Sequence, residues 1–354
     1  MKTQTIPSPE LKEKTILELI SRVCDLNRDS VQDELDNSSE VRKILKSNIS
    51  NQRKTQFLFR PLMEVLSFQG IGDSVVLSYM EKHGSITFFD ILKGIYQQRK
   101  KHGSLCEKLE IFQSFKSCGY QKTKPSCNNQ EFLIRCPLPR HDMLKGVLNV
   151  KAYSFYFYIR DECQGDLLGH FDGIIQRHLK FDGSGVTEAR NGLVEDFTKV
   201  FGIGDKLANM TLSYLLCADP ENQPWVRVGQ SMVAVDSLVH KFLHRTGILK
   251  FYQADHRYGP LCSKHCLGVL DIIISKIDAR EFNPDYPKYF PRFVQFSIWR
   301  FCTLEALSIC NGVNIDDSQT CDREDICPVF KLCDHVPLKP VDGGPDETPD
   351  PRAA

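Results

Sequence analysis

The sequence predicts an all-α fold. Apolar residues recur at three- and four-residue steps over most of the chain, and Gly, Asn, Asp or Pro punctuate the steps. With 354 residues, 41% hydrophobic and 25% charged, the chain has the composition of an ordinary globular protein and the length for two compact domains.

Taken in order, Leu62, Val65, Leu66 and Phe68 line one helical face before Gly70, and Ser85 is placed to cap a helix carrying Phe88, Ile91 and Leu92. From about Gly94 to Arg140 no clean period appears, and the segment reads as an insertion. Its Cys106, Cys118, Cys127 and Cys136 are spaced too widely for zinc knuckles. Tyr153, Phe155, Phe157 and Ile159 alternate as a half-buried strand would, the one passage that resists a helical reading. Leu167, Leu168, Phe171, Ile174 and Ile175 form a further stripe, closed by Gly183, and Thr187 opens a helix through Leu193, Val194 and Phe197. Asp219 to Gln230 reads as a loop. Val233 to Gly247 then forms an amphipathic helix with Val235, Leu238, Val239, Phe242 and Leu243 inward. The end of the chain, 336–354, is rich in Pro, Gly and acid and is expected to be disordered.

Forty-five basic residues balance forty-five acidic ones, so net charge neither demands nor excludes a polyanionic partner. Locally, Val41 to Arg60 holds Arg42, Lys43, Lys46, Arg53, Lys54 and Arg60 with no acid, and Lys93, Arg99, Lys100 and Lys101 follow. Such runs can meet phosphates, although a solvated helix face is the simpler account. The stretch MKTQTIPSPELKEKTILELI has no apolar leader core, and no apolar run approaches a membrane span. An intracellular protein without a membrane is therefore expected. Its fourteen cysteines are then expected as thiols or metal ligands rather than disulfides.

The informative stretch is Val200-Phe-Gly-Ile-Gly-Asp-Lys, in which Gly202, Ile203 and Gly204 separate a helix ending near Phe201 from one starting near Asp205. Glycines permit positive φ and close backbone approach, and the second helix aims free N–H groups outward, which suits a phosphate oxygen. Lys206 falls in that helix's first turn, where a cation is mildly unfavourable against the helix dipole. Asp236 stands at the head of the next helix, where a plain N-cap is the simple account and a rigidly held carboxylate the functional one.

Near the end of the chain Cys310, Cys321, Cys327 and Cys333 are separated by ten, five and five residues. Four thiolates can hold zinc or an iron-sulfur cluster, and the wide spacings favour the cluster. Cys302 is an alternative first ligand to Cys310. Cys262, His265 and Cys266 form a second small group in a turn, for which no metal is expected.

Together these features resemble the helix-hairpin-helix DNA glycosylase superfamily, in its endonuclease III branch. Gly202, Gly204, Lys206 and Val235-Asp236 fill the places of the family's hairpin, catalytic lysine and Val-Asp. Arg245-Thr246-Gly247 is similar to the end of the family's helix, and Ser67-Phe68-Gln69 to its Ser-x-Gln segment. Val150-Lys151-Ala152 is similar to a family helix start, which argues helix over strand for the aromatic passage. The resemblance covers most of residues 50 to 335. Departures are Phe201 where relatives usually carry Pro, Asp205 where many carry a basic residue, a longer chain between Lys206 and Asp236, and a wider middle pair of cysteines.

The resemblance implies two helical domains flanking a DNA-binding cleft. Residues 50–230 would form a six-helix barrel-like domain with the hairpin, residues 231–335 an iron-sulfur domain, and residues 1–49 would pack with the latter. It implies a [4Fe-4S] cluster on Cys310, Cys321, Cys327 and Cys333, and a monomer acting on double-stranded DNA that contains a damaged base or an abasic site. Gln69, Gly202, Ile203 and Gly204 would contact the DNA, with Gln69 filling the gap left by the flipped nucleotide. Lys206 would attack the sugar to form a Schiff base, with Asp236 assisting its deprotonation or stabilising sugar charge, and β-elimination would cut the strand. An oxidised pyrimidine is the expected base. The alternatives are another modified, mismatched or oxidised purine base, a non-catalytic DNA-binding module in which Lys206 and Asp236 are dispensable, and a metalloprotein scaffold without DNA affinity.

Overall fold

In a computed structural model the chain is all-α, apart from a two-residue antiparallel pair of Tyr120–Gln121 with Ser126–Cys127. The structure describes residues 8–28, 39–68, 73–115, 117–121, 126–138, 147–180, 184–311, 315 and 317–338. The chain divides into two compact units, Glu34–Ala234 and a discontinuous one of Met1–Asp33 with Val235–Ala354.

The Glu34–Ala234 unit contains helices α2 (Ser39–Lys46), α3 (Asn51–Leu66), α4 (Asp73–His83), α5 (Phe88–His102), α6 (Val147–Phe157), α7 (Leu167–His178), α8 (Val186–Phe197), α9 (Asp205–Leu216) and α10 (Gln223–Gln230). Helix α6 runs through its core. Phe155 stacks on Phe59 of α3 with ring centroids 5.2 Å apart and meets Phe197 of α8 edge-on at 5.6 Å. The strand-like alternation at 153–159 is therefore misleading. Every residue from Ala152 to Ile159 is buried, so the helix is apolar all round and no polar face marks its period. Lys151 is fully buried, and its Nζ donates to the Leu66 carbonyl at 2.7 Å, closing the C-terminus of α3. Gln69, Gly70 and Gly183 lie outside the described residues.

Several boundaries differ from expectation for local reasons. Helix α5 is capped by Thr87, in a reciprocal box with Asp90, while Ser85 bonds Glu64 instead. The same helix runs to His102, so the supposed insertion begins as regular structure. Helix α8 opens at Gly185 rather than Thr187; Gly185 has φ +88°, and a Cβ there would lie 1.9 Å from the His178 carbonyl oxygen. Only glycine fits. The expected loop 219–230 is largely helix α10, capped by Asn222 and burying Trp225. The basic run is mostly committed within the unit: Arg42 donates to the Ala218 carbonyl, Lys54 to that of Leu45, Lys46 pairs with Glu221 and Arg60 with Glu40. Helix α2 thus belongs here through buried Val41 and these contacts, although it falls in the 1–49 segment expected to pack with the C-terminal domain.

In the other unit, α13 (Pro291–Cys302) packs against α1 (Pro9–Asp25), α11 (Ser237–Arg245) and α12 (His265–Ile274). Helix α1 begins with Ser8 as N-cap and Pro9 in the first turn. It buries Ile16, Leu19, Ile20 and Val23, one stripe at helical spacing. Val336 and Leu338, in the range expected to be disordered, donate backbone hydrogen bonds to Arg245 and Asp317; residues 339–354 lie outside the described residues. Among the described residues no helix is long and apolar enough to cross a membrane.

Candidate functional site

The predicted hairpin is present as a tight turn between α8 and α9. Gly202 has φ +82°, a conformation glycine adopts without a Cβ penalty, and Ile203 turns its side chain into the core. Gly204 is extended, exposed and faces open space, and no side chain caps α9 behind it. The first N–H groups of α9 are thus presented as an anion site would require. Lys206 is half-buried on that first turn. The Phe201 N–H donates to Ser154 Oγ at 2.8 Å, a bond proline could not make, which accounts for the departure from the resembled pattern.

A buried network braces the turn from below. Asp196, near the end of α8, accepts from Tyr158, from His170 Nε2 at 2.7 Å and from Lys199 Nζ at 2.6 Å. Burial would raise its pKa, but these donors outweigh burial and hold the carboxyl well below its ordinary value.

Asp236 is the N-cap of α11 and is buried. Its Oδ1 accepts from the Val239 N–H at 2.9 Å. It belongs to the other unit from Lys206. The far end of α11 carries Arg245, 1% exposed, which reaches Asp317 at 3.2 Å; Lys241 holds the same carboxylate at 2.7 Å. Gly247 follows at φ +76°, and a Cβ there would strike the Asp334 carboxylate at 2.1 Å.

Cys310, Cys321, Cys327 and Cys333 line one small pocket with Phe242, Arg245, Phe301 and Phe330. Cys302 does not line it. It is fully buried at the end of α13 and hydrogen-bonds Cys310. Burial pushes the thiols of Cys327 and Cys333 up to about 11 and about 12, and the charges of the neighbouring cysteines add to the effect. The Cys310 sulfur is lowered by its bond with Cys302 and by Arg245. Four cysteines lining one pocket with a buried guanidinium are of the residue type that can ligate an iron-sulfur cluster.

No family model, no curated protein and no solved structure matches this chain.

Sequence reasoning missed a second group. His240 on α11, His256, Cys262 and Cys266 on α12 bring one ligand atom each within 4.8 Å of one another, and these four residues could hold a metal. The sequence pointed to the cysteines but took His265 as their companion. The His265 ring lies 5.1 Å from that of His256 and is not one of the four. Hydrogen bonding from Cys266, assisted by the Gly259 N–H, draws the Cys262 sulfur toward thiolate, while Cys266 is pushed up. A separate cavity lined by Leu45, Lys54, Asp172, Asn222 and Trp225 holds none of the predicted residues. In the 94–140 segment Cys136 feels the charges of Cys118, Cys106 and Cys127, but burial is the main cause of its rise to about 12.

Proposed function

We propose that this protein is a DNA glycosylase with abasic-site lyase activity, acting on double-stranded DNA through Lys206 with Asp236 in support. The observation that carries the reading is the turn before α9, in which a left-handed Gly202, an open Gly204 and an uncapped helix N-terminus stand next to a half-buried lysine. A phosphate oxygen placed against Gly204 would meet the free N–H groups of α9. The absence of a Cβ would let the DNA backbone approach closely. Lys206 extends from the same turn, so that contact would bring its amine close to the sugar.

In the reaction, the Lys206 amine attacks the C1′ carbon of an extruded nucleotide. The Nζ–C1′ bond forms as the bond to the base breaks, and the base leaves with a proton. Ring opening gives the Schiff base; loss of a C2′ proton expels the 3′ phosphate, and water releases the lysine. Asp236 would stabilise positive charge on the sugar or receive the amine's proton; its Oδ1 accepts from the Val239 N–H. Cys310, Cys321, Cys327 and Cys333 would hold a [4Fe-4S] cluster, which would act as a structural element and charge centre in the unit that carries Asp236. An oxidised pyrimidine is the substrate we favour, with other modified bases as alternatives on the same scaffold.

Strand cleavage on a duplex with a defined abasic site tests the proposal, comparing wild type with Lys206→Ala. Cleavage lost in the variant while duplex binding persists supports it. A wild type that binds duplex DNA but never cuts, together with an unchanged variant, favours instead a passive binding module built on the same turn.

A further inference from the structure

We propose that His240, His256, Cys262 and Cys266 form a closed, structural zinc site that fastens helix α11 to helix α12 and the turn before it. The four nitrogen–sulfur distances are compatible with a tetrahedral site. His240 Nδ1 lies 3.3 Å from Cys266 Sγ and 3.6 Å from Cys262 Sγ, and His256 Nε2 lies 3.3 Å from Cys262 Sγ and 3.4 Å from Cys266 Sγ. With zinc–sulfur and zinc–nitrogen bonds of ordinary length, each nitrogen–sulfur edge of a tetrahedral site is about 3.5 Å. A square-planar site with like ligands opposed would shorten all four edges to about 3.1 Å, and with like ligands adjacent it would stretch two of them to about 4.3 Å. The observed edges run from 3.3 to 3.6 Å, as a set nearer the tetrahedral value than the planar one, and none is stretched toward 4.3 Å.

The surroundings favour the same ion. His256 Nδ1 lies 2.7 Å from the Ala254 carbonyl oxygen, so that nitrogen carries the proton and Nε2 is left with a lone pair toward the sulfurs. The Gly259 N–H approaches Cys262 Sγ at 3.5 Å, as backbone donors do around a metal-bound thiolate. Cys262 and Cys266 have three residues between them, within the range of a zinc knuckle. His240, Cys262 and Cys266 are buried, and four protein ligands leave no open position for substrate, so the role is structural rather than catalytic.

The site has a consequence for α11. His240 lies one turn after the Asp236 cap, and its N–H donates to the Asp236 carbonyl at 3.0 Å. The metal therefore holds the turn that positions Asp236. The site itself stands without the glycosylase reading, because its test is metal content and ligand spectroscopy rather than activity.

The full-length chain, purified and dialysed against a weak chelator, should retain one tightly bound zinc. Replacement by cobalt(II) should give the intense ligand-field bands of a tetrahedral ion and a thiolate charge-transfer band. Mercurial titration of the wild-type thiols should release the zinc into a colorimetric indicator, a readout that does not depend on a variant folding. His256→Ala or Cys266→Ser should lose the ion, whereas His265→Ala and Cys321→Ser should keep it. A folded wild-type chain that holds no zinc and takes up cobalt without a thiolate band would overturn the proposal, as would zinc lost equally in Cys321→Ser and retained in Cys266→Ser.

Discussion

Replacing Asp196 with asparagine tests how the hairpin is braced. The wild-type carboxylate is 9% exposed and accepts from Tyr158, His170 and Lys199, and asparagine keeps its shape while removing the charge. The Lys199 contact is discounted because that side chain is 45% exposed and screened by water. The remaining donors to a buried charge imply a loss of about 2 to 3 kcal/mol at neutral pH. For a unit of this size that corresponds to a fall of about 4 to 12 °C in melting temperature. The pH dependence follows from the sign of the shift. A carboxyl depressed in the folded state contributes stability that is fully present above its unfolded pKa, about 4, and is lost as pH falls through that value toward the folded one. Urea denaturation of both proteins from pH 7 to pH 3 should therefore show a stability gap that is constant down to about pH 5 and narrows below about pH 4. A gap that stays constant to pH 3 would mean that packing rather than ionisation of Asp196 sets the cost.

Other substitutions separate folding from contact with DNA. Gly202→Ala forces a left-handed backbone at φ +82° and should cost about 1 to 2 kcal/mol in denaturant unfolding. Gly204→Ala meets no neighbour within 4 Å and should leave the melting temperature unchanged while weakening duplex binding severalfold, seen in a fluorescence-anisotropy titration. Arg245→Met leaves Asp317 paired, among the described residues, with Lys241; it should destabilise by about 2 kcal/mol and lower the iron recovered with the purified protein. Strong chelation of zinc should lower the melting temperature and increase amide exchange in α11 ahead of α1, measured by hydrogen exchange.

Much of this was legible in the sequence where a local rule decides the outcome. The stripe of α7, the Gly202–Gly204 turn and the Asp236 cap all depend on residues within one or two turns of one another, and the helical class follows from their repetition. What escaped depends on contacts between distant segments. The alternation at 153–159 suggested a strand because the polar face that would mark a helix is missing where all sides are buried. Gly185 rather than Thr187 opens α8 because the His178 carbonyl packs against it, which no propensity records. His240 looked like an ordinary residue of an amphipathic helix. Its companions lie sixteen or more residues away and meet it only once α12 has docked, so spacing singled out the adjacent His265 instead.

Borohydride reduction of the wild-type protein on a duplex bearing an abasic site, followed by peptide mapping of the adduct, tests the chemistry of Lys206. One covalent adduct is expected, on the peptide containing Lys206, and none with Lys206→Ala. An adduct on another lysine, or no adduct from a protein that binds the duplex, would contradict this chemistry.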